Sequence, residues 1–108
     1  MNIILSSPIE KYFNVDRLDG MAVAQCFTSN GIVIDEGIER KGHAAIAQWR
    51  DEASSAYEYT AEPFSVQEFG DTIIVISKVE GNFPNSPVNL KYAFVLEGEN
   101  ISRLEITL

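Results

Sequence analysis

The chain has one cysteine, one histidine and one tryptophan in 108 residues, and eight lysines and arginines against sixteen aspartates and glutamates. A lone cysteine, Cys26, excludes an intramolecular disulfide and suits a reducing compartment. It sits among Ala22, Val23, Ala24 and Phe27 with no histidine or basic group nearby to activate it, so a buried structural thiol is expected and not a nucleophile. The single histidine, His43, follows Gly42 at a helix start and reads as a first-turn residue. Without a second histidine, or carboxylates at ligand spacing, no metal is expected. No serine or cysteine motif pairs with it for nucleophilic catalysis. The shortage of basic residues leaves a net charge of −8. That sign repels nucleic acid and anionic lipid, and the only adjacent basic pair is Arg40-Lys41, so both partners are set aside. No apolar run approaches the ~20 residues of a membrane span. The start, MNIILSSP, lacks the basic segment of a signal peptide, and the expected location is the cytoplasm.

What the chain does have is ordinary globular chemistry: 45% hydrophobic and 22% charged residues. The length fits one domain spanning 1–108, with a core that needs no staples. In SSPIE, Ser7 is placed to cap, Pro8 to take the first helical position and Glu10 to complete a capping box, predicting a helix over Pro8–Asn14. Asp16 and Asp19 precede a second helix, MAVAQCF, which is expected to end before the turn cluster Ser29-Asn30-Gly31. A short strand, GIVI, runs into Asp35-Glu36-Gly37. After Gly42 the pattern turns helical, with Ala45, Ile46, Trp49 and Ala53 on one face and Arg50, Asp51 and Glu52 pointing away. The rest reads as strand. YEYTAEPFSVQEF slips phase at Pro63, predicting a bulged edge strand. TIIVISKVEG reads as central, and VNLKYAFVL and ISRLEITL each keep one apolar face. Helices first and a strand meander last predict an α+β domain, a bent antiparallel sheet covered on one side.

These segments resemble the nuclear transport factor 2-like superfamily, which includes ketosteroid isomerases and the SnoaL-like polyketide cyclases. The resemblance runs from YFNVDRLDGMAVAQCF to VEGNFPNSPVNLKYAFVLEGENISRLEI. It is carried by an aspartate before the second helix, by Phe27, and by the run Asp35, Gly37, Gly42, Ile46, Trp49. It implies a cone-shaped, cystatin-like α+β barrel: a curved antiparallel sheet wrapped around N-terminal helices, with an apolar pocket inside. It also implies a homodimer, formed through the sheet. Aligned on the steroid isomerases, Asp35 takes the place of the catalytic base, with no cofactor required. The place of the isomerases' oxyanion tyrosine falls near Lys11 and Tyr12, and that of their acid near Lys91 and Tyr92.

A general base works best as a carboxylate partly screened from water. Asp35, following three β-branched residues, meets that requirement; the alternative is a residue that only closes the turn before Gly37. Alternation sends Glu36 to the opposite face, where it is solvated or paired with Arg40 or Lys41. The aromatics Tyr12, Phe13, Trp49, Tyr57, Tyr59, Phe83, Tyr92 and Phe94 supply candidates for a substrate-binding wall, though such stripes usually build a core. The GNFPNSP loop is either a pocket rim with Phe83 as its lid or a plain hairpin connection. Arg103 is expected on the outer sheet surface. The functions compatible with this reading are a cofactor-free isomerase or cyclase acting on a small hydrophobic carbonyl compound, a binding module for such a molecule, and a dimeric interaction domain with a filled cone.

Overall fold

The computed structural model describes residues 3–16 and 19–108. Helices α1 (Ser7–Val15) and α2 (Gly20–Ala24) lead into strand β1 (Phe27–Asp35) and the short β2 (Ile38–Lys41). Helix α3 (His43–Ala56) follows, then β3 (Tyr59–Phe69), β4 (Thr72–Gly81), β5 (Val88–Glu97) and β6 (Asn100–Thr107). The six strands form one curved, unclosed sheet in the order β2-β1-β6-β5-β4-β3, with the helices against one face. Every pairing is antiparallel except β1 with β6, which run parallel. No helix among the described residues is long and apolar enough to cross a membrane.

Local chemistry explains most of these elements and several departures from expectation. Pro8 opens α1, but Ser6 is its N-cap and no side chain caps it. Ser7 is already helical, so the capping box with Glu10 does not form. Helix α2 is capped by Asp19, whose carboxylate accepts from Met21 N at 3.3 Å. The cluster Ser29-Asn30-Gly31, expected as a turn, lies inside β1, where the pairing with β6 bulges between Phe27 and Ile32. The chain is tight at Gly31, where a Cβ would come 2.8 Å from Phe27 Cβ. Strand β2 is hidden in the sequence by its composition, IERK, which carries no apolar alternation. Asp35-Glu36-Gly37 does turn, with positive φ of 55° at Glu36 and 74° at Gly37. Pro63 sits on the edge strand β3 beside a register shift between Pro63 and Ser65.

Tight helix packing fixes the end of the cone. Gly20 leaves no room for a side chain, which would run into the Ala47 carbonyl and Asp51 of α3. Its N–H donates instead to Asp51 Oδ1 at 2.8 Å, locking α2 onto α3. His43 does comparable work, its Nε2 lying 2.9 Å from the Phe27 carbonyl oxygen. Cys26 is buried as expected, its thiol against the Ala22 carbonyl at 3.6 Å, and burial pushes that thiol's pKa up. The core fills the space between helices and sheet with Ile9, Tyr12, Val33, Ile46, Phe94 and Leu104, all fully buried. Tyr12 is its aromatic hub, meeting Phe13, Phe27, Tyr92 and Phe94 edge-on at 5.2–6.3 Å.

Candidate functional site

Directly paired residues share a sheet face, so register decides which side chains meet. Asp35 pairs with Ile106, Ile106 with Tyr92, and Tyr92 with Val75. This row faces the helices, and it places Asp35 and Tyr92 two strand spacings apart, about 9–10 Å along the sheet. Above them runs α3, where Ile46, Trp49, Arg50 and Ala53 form one stripe at i, i+3, i+4, i+7.

Between the row and the helix lies a cavity of about 900 Å³. That volume suits a small organic ligand. Its inner wall holds Asp16, Asp35, Trp49, Arg50, Tyr59 and Tyr92, and Val79, Val88, Leu90 and Ile106 give it an apolar lining. Exposed residues mark its mouth: Glu36 at the β1–β2 turn, Tyr57 at the end of α3, and Pro84 and Asn85 on the β4–β5 loop. Phe83 of that loop meets the Tyr57 ring edge-on at 6.1 Å, so the loop forms one side of the rim. A smaller hollow of about 420 Å³ lies beside Tyr57, Glu58 and Glu80, where no comparable set of polar groups converges.

Two polar units define the chemistry. In the first, Trp49 Nε1–H donates to Asp35 Oδ2 at 3.0 Å, which orients a half-buried carboxylate at the cavity wall. In the second, Arg50 is 8% exposed and Asp16 2% exposed, and they form an ion pair at 3.2 Å. Arg50 Nη1 also donates to the Tyr12 hydroxyl at 3.3 Å. Its guanidinium lies 4.2 Å from the Trp49 ring centroid and 5.7 Å from that of Tyr59, a cation–π arrangement that links the two units. Burial opposes charge on Arg50, but Tyr12, Asp16 and Tyr59 outweigh it and hold the guanidinium protonated more firmly than usual. Burial, followed by the Asp16 charge, pushes the Tyr92 hydroxyl well above the ordinary phenol range, so it is a proton donor at neutral pH.

Of the residues singled out from sequence, Asp35, Trp49, Tyr57, Tyr59, Phe83 and Tyr92 line the cavity. Tyr12, Phe13 and Phe94 lie in or against the packed core, because α1 presses its aromatic side onto β5. Arg50 corrects the expectation that it points away from the apolar face: Asp16 supplies the counter-charge that lets it turn inward. Neither Asp16 nor Arg50 is a site candidate on sequence alone. The available signal is Arg50's position four residues after Ile46, on the buried stripe. Glu36 stands at the cavity mouth and not across the strand from it. Arg103 lies on the outer face, paired with Glu105 at 3.4 Å.

No protein-family model and no curated protein matches the chain. Solved structures do. A Sinorhizobium meliloti protein assigned to the polyketide cyclases is 38% identical, with 95% of each chain covered and a TM-score of 0.88. A Catenulispora acidiphila protein with a ketosteroid isomerase-like fold is 14% identical, covering 97% of this chain and 87% of its own, with a TM-score of 0.86. SalBIII, an epoxide hydrolase/cyclase-like enzyme of pyran ring formation in the polyether salinomycin, is 24% identical over 92% of this chain and 85% of its own, with a TM-score of 0.75. The last two share the fold; the first shares sequence as well, over nearly the whole length. The chain belongs to the nuclear transport factor 2-like superfamily, within its SnoaL-like proteins.

Proposed function

We propose that this domain binds a small, mostly apolar carbonyl compound in its cone and catalyses a cofactor-free isomerisation or cyclisation in which Asp35 moves a proton. The observation that carries the reading is Asp35 itself. It is a half-buried carboxylate at the cavity wall, held by the Trp49 indole at 3.0 Å and without an ion-pair partner among the described residues. In the proposed step, Asp35 takes a proton from the carbon next to the carbonyl. The C–H electrons form a carbon–carbon double bond, and charge builds on the oxygen. The Tyr92 hydroxyl donates a hydrogen bond to that oxygen, and Asp35 returns the proton to carbon. The likeness to a cyclase-assigned relative supports the same class of chemistry. A filled cone, which an interaction domain would have, does not fit a cavity of about 900 Å³.

Solvent-deuterium incorporation into bound cyclic ketones and phenols, followed by NMR, tests the step. Asp35→Asn should retain binding and slow exchange by about 10²–10⁴-fold. Exchange unchanged by the substitution refutes Asp35 as the base. Binding without any exchange in the natural protein points to a non-catalytic binding module.

The same proposal includes a cytoplasmic homodimer. Ile34, Ala93 and Ile74 form an outer-face row with Glu105 and Gln67, and the core helices lie on the opposite face. Sedimentation equilibrium checks the dimer; a monomer at high protein concentration rejects it.

A further inference from the structure

The charges around the cavity do not balance. Arg50 is met by Asp16 at 3.2 Å, and with both groups at least nine-tenths buried the pair contributes a dipole and no net charge. Asp35 is different. Among the described residues its carboxylate has one hydrogen bond, from a neutral indole, and no basic side chain within ion-pair distance. At the mouth, Glu36 and Glu52 outnumber Arg40. Among the described residues the lining therefore carries four acidic side chains against two basic ones. Apolar walls weaken dielectric screening, so an unmatched charge acts more strongly here than on the open surface.

We propose that this cavity selects its substrate by charge: it accepts a neutral or amine-bearing carbonyl compound and refuses the analogue bearing a carboxylate or phosphate. The inference rests on the reading of the cavity as the binding site and adds the substrate class. Asp35 sets the selection inside, and Glu36 and Glu52 set it at the entrance. Arg50's charge is already matched by Asp16, and its Nη1 is engaged by Asp16 and the Tyr12 hydroxyl, while its buried Nε has no partner among the described residues.

Three probes with one rigid apolar body test this: adamantane carrying an aminomethyl, a hydroxymethyl or a carboxylate group. Binding is read by calorimetry and by the fluorescence of Trp49, the only tryptophan. The alcohol and the amine should bind, and the acid should bind at least about tenfold more weakly than the alcohol. Added salt should narrow the gap between amine and acid. Asp35→Asn should reduce that gap by about tenfold, the equivalent of removing one nearby charge. The double variant Glu36→Gln, Glu52→Gln changes only exposed rim residues and should raise acid binding without touching the interior. Acid binding as tight as alcohol binding, or a gap that neither variant moves, overturns charge selection while leaving the cavity reading in place. If none of the three probes binds folded protein, the cavity reading falls and this inference falls with it.

Discussion

Replacing Arg50 by methionine tests the site's buried framework. The substitution keeps much of the side chain's apolar bulk and removes the guanidinium. It breaks the ion pair with Asp16 at 3.2 Å, the hydrogen bond to Tyr12 at 3.3 Å and the stacking on Trp49 at 4.2 Å. Most of the cost comes from the carboxylate left behind, because Asp16 is only 2% exposed and loses the guanidinium at 3.2 Å. Breaking a buried pair from one side costs about 3–5 kcal/mol. The lost stacking on Trp49 adds on the order of 0.5–2 kcal/mol. A domain of this size has about 5–15 kcal/mol to lose, so Arg50→Met should fold only marginally and melt roughly 15–30 °C lower. Removing both charges in Asp16→Leu, Arg50→Met should cost far less than the two single changes together, with a coupling of about 2 kcal/mol or more. Urea unfolding followed by far-ultraviolet circular dichroism measures the global loss, and Trp49 fluorescence reports the site beside it. If Arg50→Met stays within about 1 kcal/mol of the natural protein, or if the double variant is simply additive, the buried pair does not organise this wall.

Other expectations follow from the same geometry. Trp49→Phe removes the N–H that holds Asp35, a hydrogen bond to a charged group worth about 1.5–3 kcal/mol, and thermal melts should show that loss. Gly20→Ala forces a Cβ against α3 and should destabilise by roughly 1–3 kcal/mol or more, whereas alanine at an open site would be near neutral. Burial holds the Tyr12 and Tyr92 hydroxyls above their usual range, while the unfolded chain ionises them near pH 10. The stability they confer is therefore complete below about pH 10 and is lost as the pH climbs beyond it, at about 1.4 kcal/mol per pH unit for each tyrosine. Tyr92→Phe should make this alkaline slope shallower in pH-dependent melts, and tyrosinate absorbance should rise together with unfolding.

Much of this architecture is legible in the residues because hydrophobic periodicity reports burial directly. The alternation in VNLKYAFVL places Leu90, Tyr92 and Phe94 inward, and Pro63 announces its own bulge. Asp35 and Trp49 are legible as a pair because one ends an apolar strand and the other lies on the apolar face of the next long helix. What stays hidden depends on partners distant in sequence. Arg50 reads as surface until Asp16, thirty-four residues earlier, is brought to 3.2 Å. Asp16 itself reads as a helix cap, a role that Asp19 takes. Strand β2 has no apolar pattern, and its existence follows from pairing with β1.

The parallel pairing of β1 with β6 has a consequence for when the site exists. Asp35 stands beside Ile106, about seventy residues further along, and the neighbours of the β1 end across the sheet come from the most distant strand. During synthesis, α1, α2 and β1 emerge long before that strand, so Asp35 has no row to join and Tyr92 no pairing with Ile106. Closing such a long loop is entropically slow and comes late. The cavity wall is therefore incomplete until β6 pairs with β1, and a chain without that pairing would have no competent site.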